Sequence, residues 1–255
     1  ASLEEGCVGA SAFASLTRFE LSGLASLAVV SVEMGGCSNV QEVALTKLPR
    51  LRRVVFDSGS FVRAHSCAFA DAPLLESVVI GDKCFEKAGT FVVERVPSLK
   101  SLVIHSDAFT LCEELRLCHL EAIETISIGD YAFHSIEILL VESLPKLKKL
   151  FFGEDCCCGS GKEGFELVLK WKSDEIGGVL GIDLTELESL TVSEGCLQHC
   201  TNAVIEGLPK VREEELHIGK NCFGMATCVI KKDGVAPCIV SVFNGLSNGC
   251  SIILL

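Results

Sequence analysis

A chain of 255 residues that is 49% apolar and holds only six prolines carries enough hydrophobic material for a large core and falls outside the disordered class. Its formal net charge of −12 opposes binding to phosphate backbones, which takes clustered Lys and Arg in excess, so no nucleic-acid partner is expected. The longest apolar runs, such as residues 136–141 around Glu137, are too short and too interrupted by charge to cross a bilayer, and no membrane span is expected either.

The opening residues, Ala1-Ser2-Leu3-Glu4-Glu5-Gly6, lack the basic start and apolar stretch of a signal peptide. Leu3 and Val8 already stand 24 residues ahead of Leu27 and Val32. From there one column runs Val32, Phe56, Ile80, Ile104, Ile128 and Phe152 at the same spacing. It resumes after a 16-residue insertion at Val192, slips by two to Ile218 and returns at Val242. Such self-similarity predicts stacked coils that touch chiefly their neighbours, about nine of them, in a single domain over residues 1–255.

Two further columns recur in each coil. Leu27, Leu51, Leu75, Leu99, Ile123, Leu147, Leu187 and Val211 form one; Val30, Val54, Val78, Leu102, Ile126, Leu150 and Leu190 form the other, three residues on. Together the three columns spell Leu-x-x-Leu-x-Ile, whose last two positions alternate with period 2 and predict a short strand with one inward side. A turn follows, often opened by Gly (Gly81, Gly129, Gly153, Gly219), and then a bulky plug: Phe13, Cys37, Phe61, Phe85, Phe109, Phe133, Cys157, Leu197, Phe223. About eleven residues past the first strand a second alternation appears, as in Phe19/Leu21, Val43/Leu45, Phe91/Val93 and Leu139/Val141, and predicts a second wall opposite the first. Leu48-Pro49, Val96-Pro97, Leu144-Pro145 and Leu208-Pro209 turn the chain back. Each coil thus supplies about seven inward side chains stabilising by roughly 1.5 to 3 kcal/mol each, which outweighs the ordering entropy only when neighbours stack.

Leu-x-x-Leu-x-Ile followed by Gly-x-x-x-Phe resembles the leucine-rich repeat superfamily, and the Ala-Phe or Cys-Phe plug most resembles its BspA-like branch. The resemblance covers the chain from about Leu3 to Leu255 and implies a mostly β leucine-rich-repeat solenoid, with parallel strands on one wall and a second short-strand wall opposite. Where the common leucine-rich repeat carries Asn, this chain has Gly59, Lys83, Asp107, Tyr131, Asp155 and Gly195, and only Asn221 fits. An asparagine ladder is therefore not expected. BspA-like families are known chiefly from surface or secreted proteins with roles in adhesion and binding, and the resemblance implies that role as an alternative.

The frame breaks between Phe165 and Leu184, read as an insertion loop over about 166–183 that holds the only tryptophan, Trp171. Insertions in repeat proteins project from one face, either as a tolerated bulge or as a contact loop anchored by Trp171. At the far end Ile253 and Leu255 lie at the offsets of second-wall inward residues. Neither end shows a polar cap, so a further alternative is a piece of a longer array, or a structural subunit that meets other copies through its ends.

The fifteen cysteines, an odd number, suggest at first a disulfide scaffold or a metal cluster. The repeat frame favours another reading: the residue before the plug is Ala12, Gly36, Ser60, Cys84, Ala108, Ala132, Cys156, Cys196 and Cys222, so Cys alternates there with other small space fillers. Packed, reduced thiols point inside the cell; disulfides would point to the surface. Cys156-Cys157-Cys158 with His199 and Cys200 lacks the paired knuckles of a zinc site, and no metal or cofactor is expected. The six histidines are scattered, no phosphate-binding glycine motif occurs, and no enzymatic activity is expected.

One column remains: the residue between the two inward strand positions, reading Ser31, Val55, Val79, Val103, Ser127, Phe151, Thr191, His217 and Ser241. An outward column this apolar reads either as β-propensity at half-covered sites or as a wall for a protein partner centred on Val55, Val79, Val103 and Phe151. Mixed charge beside it (Arg52, Arg53, Glu76, Glu124, Lys148, Lys149, Glu188) suits a protein better than a polyanion. The expected function is a non-enzymatic binding or scaffolding module using this wall and the Trp171 loop.

Overall fold

The computed structural model describes residues 4–94, 96–142, 144–159, 165–170, 186–205, 208, 210–223, 227–230, 236–239 and 251–254. Trp171, Ser241, Val242 and Leu255 lie outside them.

In chain order the strands are β1 (Glu5–Val8), β2 (Arg18–Ser22), β3 (Val29–Val32), β4 (Glu42–Thr46), β5 (Arg53–Phe56), β6 (Ser66–Ala70), β7 (Ser77–Ile80), β8 (Thr90–Glu94), β9 (Ser101–Ile104) and β10 (Glu114–Cys118). They continue as β11 (Thr125–Ile128), β12 (Ile138–Glu142), β13 (Lys149–Phe152), β14 (Phe165–Lys170), β15 (Ser189–Val192), β16 (Cys200–Ile205), β17 (Leu216–Ile218), β18 (Thr227–Ile230) and β19 (Ser251–Leu254). The odd strands up to β17 form one nine-stranded sheet, and the even strands with β19 form a ten-stranded sheet. Every pairing is parallel. The chain is the solenoid its period predicts, with a second wall opposite the first.

The alternation in each short strand sets its burial. Ser77–Ile80, Ser101–Ile104 and Thr125–Ile128 all run half-buried, buried, half-buried, buried. The inward members join Leu75, Leu99, Ile123 and the second-wall pairs Phe91/Val93 and Leu115/Leu117 in one continuous core.

The corners depend on the left-handed backbone region. The plug column from Phe13 to Phe223 has φ between 49° and 57° at every position. The column of the missing asparagine is left-handed too, from Ser11 and Gly35 to Gly195 and Asn221. A third set, Gly23, Lys47, Asp71 and His119, turns the chain after the second wall. In place of an asparagine ladder, the N–H groups of that column from Ser11 to Gly195 donate to a carbonyl of the next coil, as from Lys83 to Ser106 (3.0 Å), Asp107 to Asp130 (2.9 Å) and Tyr131 to Glu154 (2.8 Å). Placing a bulky residue in this region costs roughly 1–2 kcal/mol, while complete burial of a phenyl group more than offsets it. Phe61, Phe85, Phe109 and Phe133 are fully buried; Phe13 is not, at 59% exposed.

Two sequence expectations shift. The frame break predicts a loop over residues 166–183, but Phe165–Lys170 forms a second-wall strand, with Leu139 paired to Leu167. The insertion is therefore split: its smaller part falls before β14, between Ile138 and its partner Glu166, and its larger part after, between Glu166 and Asn202. The slip of two before Ile218 coincides with a short 3-10 turn at Glu213–Glu215. At the far end, Ile252 rather than the expected Ile253 stands in register with the second-wall column of Leu139. Pairing runs Leu139, Leu167, Ala203, Cys228, Ile252, because the second-wall step from Asn202 to Thr227 is one residue longer than the repeat whereas the first-wall step from Val192 to Ile218 is two longer.

Candidate functional site

The first wall brings Val55, Val79, Val103 and Phe151 into one row. Val55 pairs with Val79, Val79 with Val103, Val103 with Ser127 and Ser127 with Phe151. The three valines are half-buried, because each is flanked by its ladder neighbours, and Phe151 is 39% exposed. A second outward row beside them is hydroxylic: Ser77, Ser101 and Thr125 stand in register, and Thr125 Oγ1 donates to Ser101 Oγ at 3.2 Å.

The charges bordering this face are ordered in a way that reading one coil at a time does not reveal. Arg52, Glu76, Lys100, Glu124, Lys148, Glu188 and Arg212 occupy one position in successive coils, so the sign alternates at every step. Main-chain bonds stack them, for example Lys100 N–H to the Glu76 carbonyl at 2.8 Å and Glu188 N–H to the Lys148 carbonyl at 2.9 Å. Glu76 takes Arg52 at 2.5 Å on one side and Lys100 at 3.0 Å on the other, and Lys148 reaches Glu124 at 3.0 Å. The Lys100 ammonium, with Arg52, holds the Glu76 carboxyl below the usual carboxylate range, and Lys148 does the same for Glu124. These pairs are solvent-exposed, so they align neighbouring coils more than they stabilise the chain.

The second wall carries a cleft that sequence reasoning missed. Other second-wall pairs, such as β8 with β10, keep five residues in register, whereas β6 and β8 share only Ser66–Thr90 and Cys67–Phe91. Beyond that point the ladder opens into a cavity of about 1150 Å³ lined by Phe69, Val92, Ala72, Pro73, Lys47 and Asp71, among others. Three local departures from the repeat line it. Ala72 stands where the other coils have Leu48, Val96, Leu120 and Leu144, which removes the corner side chain. Phe69 replaces the smaller aliphatic residue of the other coils and meets Phe91 edge-on at 6.4 Å. Cys67, at the end of the shared register, is buried and its thiol is pushed up by desolvation first. The legible signal is Ala72 breaking a leucine column.

The cysteines sit where the repeat frame puts them. The thirteen whose side chains are described form no disulfide; Cys7 is exposed, Cys238 half-buried and the rest buried. The small column also has a polar logic: Ser60 Oγ donates to the Glu33 carbonyl (3.1 Å), Cys84 Sγ to Asp57 (3.2 Å) and Cys222 Sγ to Ser193 (2.9 Å). Cys156 and Cys196 differ, since their sulfurs face each other at 3.4 Å. Among the described residues no three His, Cys, Asp or Glu side chains converge to hold a metal ion. Five of the histidines (His65, His105, His119, His134, His217) are exposed and His199 is half-buried. No helix among the described residues is long and apolar enough to cross a membrane.

Two facing parallel sheets, wound so that most ladder neighbours stand 24 residues apart, define the class: a β-solenoid repeat protein. No family model matches the chain, and no curated protein matches it. Among solved structures, a leucine-rich repeat protein from Bacteroides ovatus aligns over 98% of this chain and 87% of its own, with 10% identity and a TM-score of 0.22. At that score the fold assignment rests on the coil geometry itself.

Proposed function

We propose that this chain is a non-enzymatic protein-binding module of leucine-rich-repeat type, which docks or scaffolds a protein partner across its first strand wall. The observation that carries the reading is the in-register row of Val55, Val79 and Val103, with Phe151 exposed farther along the same row, on a face bordered by charges of alternating sign. An apolar stripe with a polar, mixed-charge rim matches the anatomy of a protein–protein interface and mismatches a polyanion. Trp171 belongs to the same reading as a second contact. Thirteen cysteines outside any disulfide support an intracellular setting.

The test begins with the native complex recovered from its source and every neighbouring chain identified. Val79→Asp, Val103→Asp and Phe151→Ser together should weaken capture of that same partner at least tenfold, with an unchanged circular dichroism spectrum. Capture at wild-type strength by the folded triple variant rejects this wall as the site. Trp171→Ala, measured in parallel, separates the loop's contribution from that of the wall.

A further inference from the structure

We propose that Cys156 and Cys196 form a modification site: a buried dithiol that hydrogen peroxide converts into a disulfide joining two neighbouring coils. The two residues hold the same place in successive coils, four positions past the paired Phe152 and Val192. The Leu197 N–H donates to the Cys156 carbonyl at 3.3 Å, so the coils remain stacked through this corner. Adjacent strands lie about 4.8 Å apart, which is within the Cα separation a disulfide spans without backbone movement. The sulfurs are already 3.4 Å apart, and both residues are fully buried.

The neighbours make this pair specific. The other hydrogen-bonding members of the small column give their protons to carbonyls, as Cys84 and Cys222 do, and Cys158 Sγ donates to Asp155 and Gly195 carbonyls at 3.0 and 3.2 Å. Within the pair, burial first and then the bond to Cys156 raise the Cys196 thiol. Burial also opposes ionisation of Cys156, but bonds from Cys157 and Cys196 favour its thiolate and lower it.

The chemistry balances with peroxide as the two-electron oxidant. The Cys156 thiolate attacks one peroxide oxygen; the S–O bond forms, the O–O bond breaks and the departing hydroxide leaves as water after taking up a proton. The Cys196 sulfur then attacks Cys156 Sγ; the S–S bond forms, the S–O bond breaks and the hydroxyl group leaves as water with the Cys196 proton. Two thiols and one peroxide thus become a disulfide and two waters. Peroxide is close to water in size, so the site needs no opening large enough for a protein oxidant. The two cysteines stand 40 residues apart in the chain, so the covalent loop closes over the longest step between first-wall strands. Cross-linking at its base removes the freedom of the unfolded chain where one coil is longest.

The experiment treats the fully reduced, folded chain with hydrogen peroxide, blocks remaining thiols under denaturing conditions and maps the peptides. The expected result is a Cys156–Cys196 linked peptide, loss of two alkylation sites, and an upward shift of the thermal midpoint that dithiothreitol reverses. Cys156→Ala and Cys196→Ala should each abolish both the link and the shift. Both should fold, because Ala132 and Ala108 fill the same column. Recovery of Cys156 and Cys196 both fully alkylated while exposed Cys7 is oxidised overturns the proposal. So does a link of either residue to Cys157, Cys158 or Cys222.

Discussion

Phe85 and Phe109 stack ring upon ring, centroids 5.1 Å and planes 5° apart, although both residues have φ of 55°. Phe133 continues the stack at 5.0 Å and 5°. In the coils of Phe61, Phe85, Phe109 and Phe133 the backbone strain at this corner points a large side chain into the core. Each stacked pair adds about 0.5–1.5 kcal/mol beyond the area it buries.

Phe109→Ala should therefore destabilise the chain by about 3–5 kcal/mol. Phe109→Gly loses the same ring but relieves the left-handed strain. Urea denaturation should find the Gly variant at least as stable as the Ala variant. A clearly less stable Gly variant would show that strain at the plug position is negligible.

The cleft beside β6 makes a reciprocal prediction. Ala72→Leu restores the corner side chain of the other coils and should stabilise by about 0.5–2 kcal/mol through cavity filling. Leu48→Ala removes that side chain from a fully buried site one coil earlier and should cost about 2–5 kcal/mol. Denaturant midpoints of the two variants give the comparison directly.

The alternating charges predict an acid response. Glu76 and Glu124 are held below the ordinary carboxylate value of 4.5, mainly by Lys100 and Lys148. A carboxyl depressed in the folded state contributes its stability above that value and loses it as the pH falls through the folded pKa. The thermal midpoint should drop on acidification below about pH 4.5, and the drop should be shallower in Glu76→Gln. Glu76→Lys places three cations in sequence with Arg52 and Lys100, and its midpoint should recover as salt is added.

Gly129 and Gly89 separate close approach from mere flexibility. A Cβ on Gly129 would lie 2.7 Å from His105 C and Ser106 N of the preceding coil, whereas one on Gly89 meets nothing within 4 Å. Gly129→Ala should cost about 1–3 kcal/mol by overpacking against backbone. Gly89→Ala should be neutral or stabilising by up to about 1 kcal/mol. Equal effects on thermal unfolding would refute the contact argument.

Much of the fold is legible because one burial rule repeats. Leu99, Leu102 and Ile104 announce an inward strand by their spacing, and Ala108-Phe109 announces the plug. The left-handed corners are hidden, since Phe, Cys and Leu do not advertise positive φ as Gly or Asn would. Strand β14 looks like loop in the sequence because the residues inserted ahead of it shift Leu167 and Leu169 off the repeat frame. At the candidate site, the row of Val55, Val79, Val103 and Phe151 can be read from the repeat, whereas the opened ladder beside Phe69 is signalled only by Ala72. Trp171 lies outside the described residues.

By itself the sequence determined the coil: its length, its inward side chains, its two strands and the small sites that cysteine fills. Each of these follows from the need of every coil to bury the same positions against its neighbours. Only the tertiary structure decided the relations between coils: which sulfur faces Cys156, how Glu76 is shared between Arg52 and Lys100, and where β6 parts from β8. Residues 24 or 40 positions apart in the chain become neighbours a strand spacing apart. What they do there depends on the small differences between coils that the repeat itself conceals.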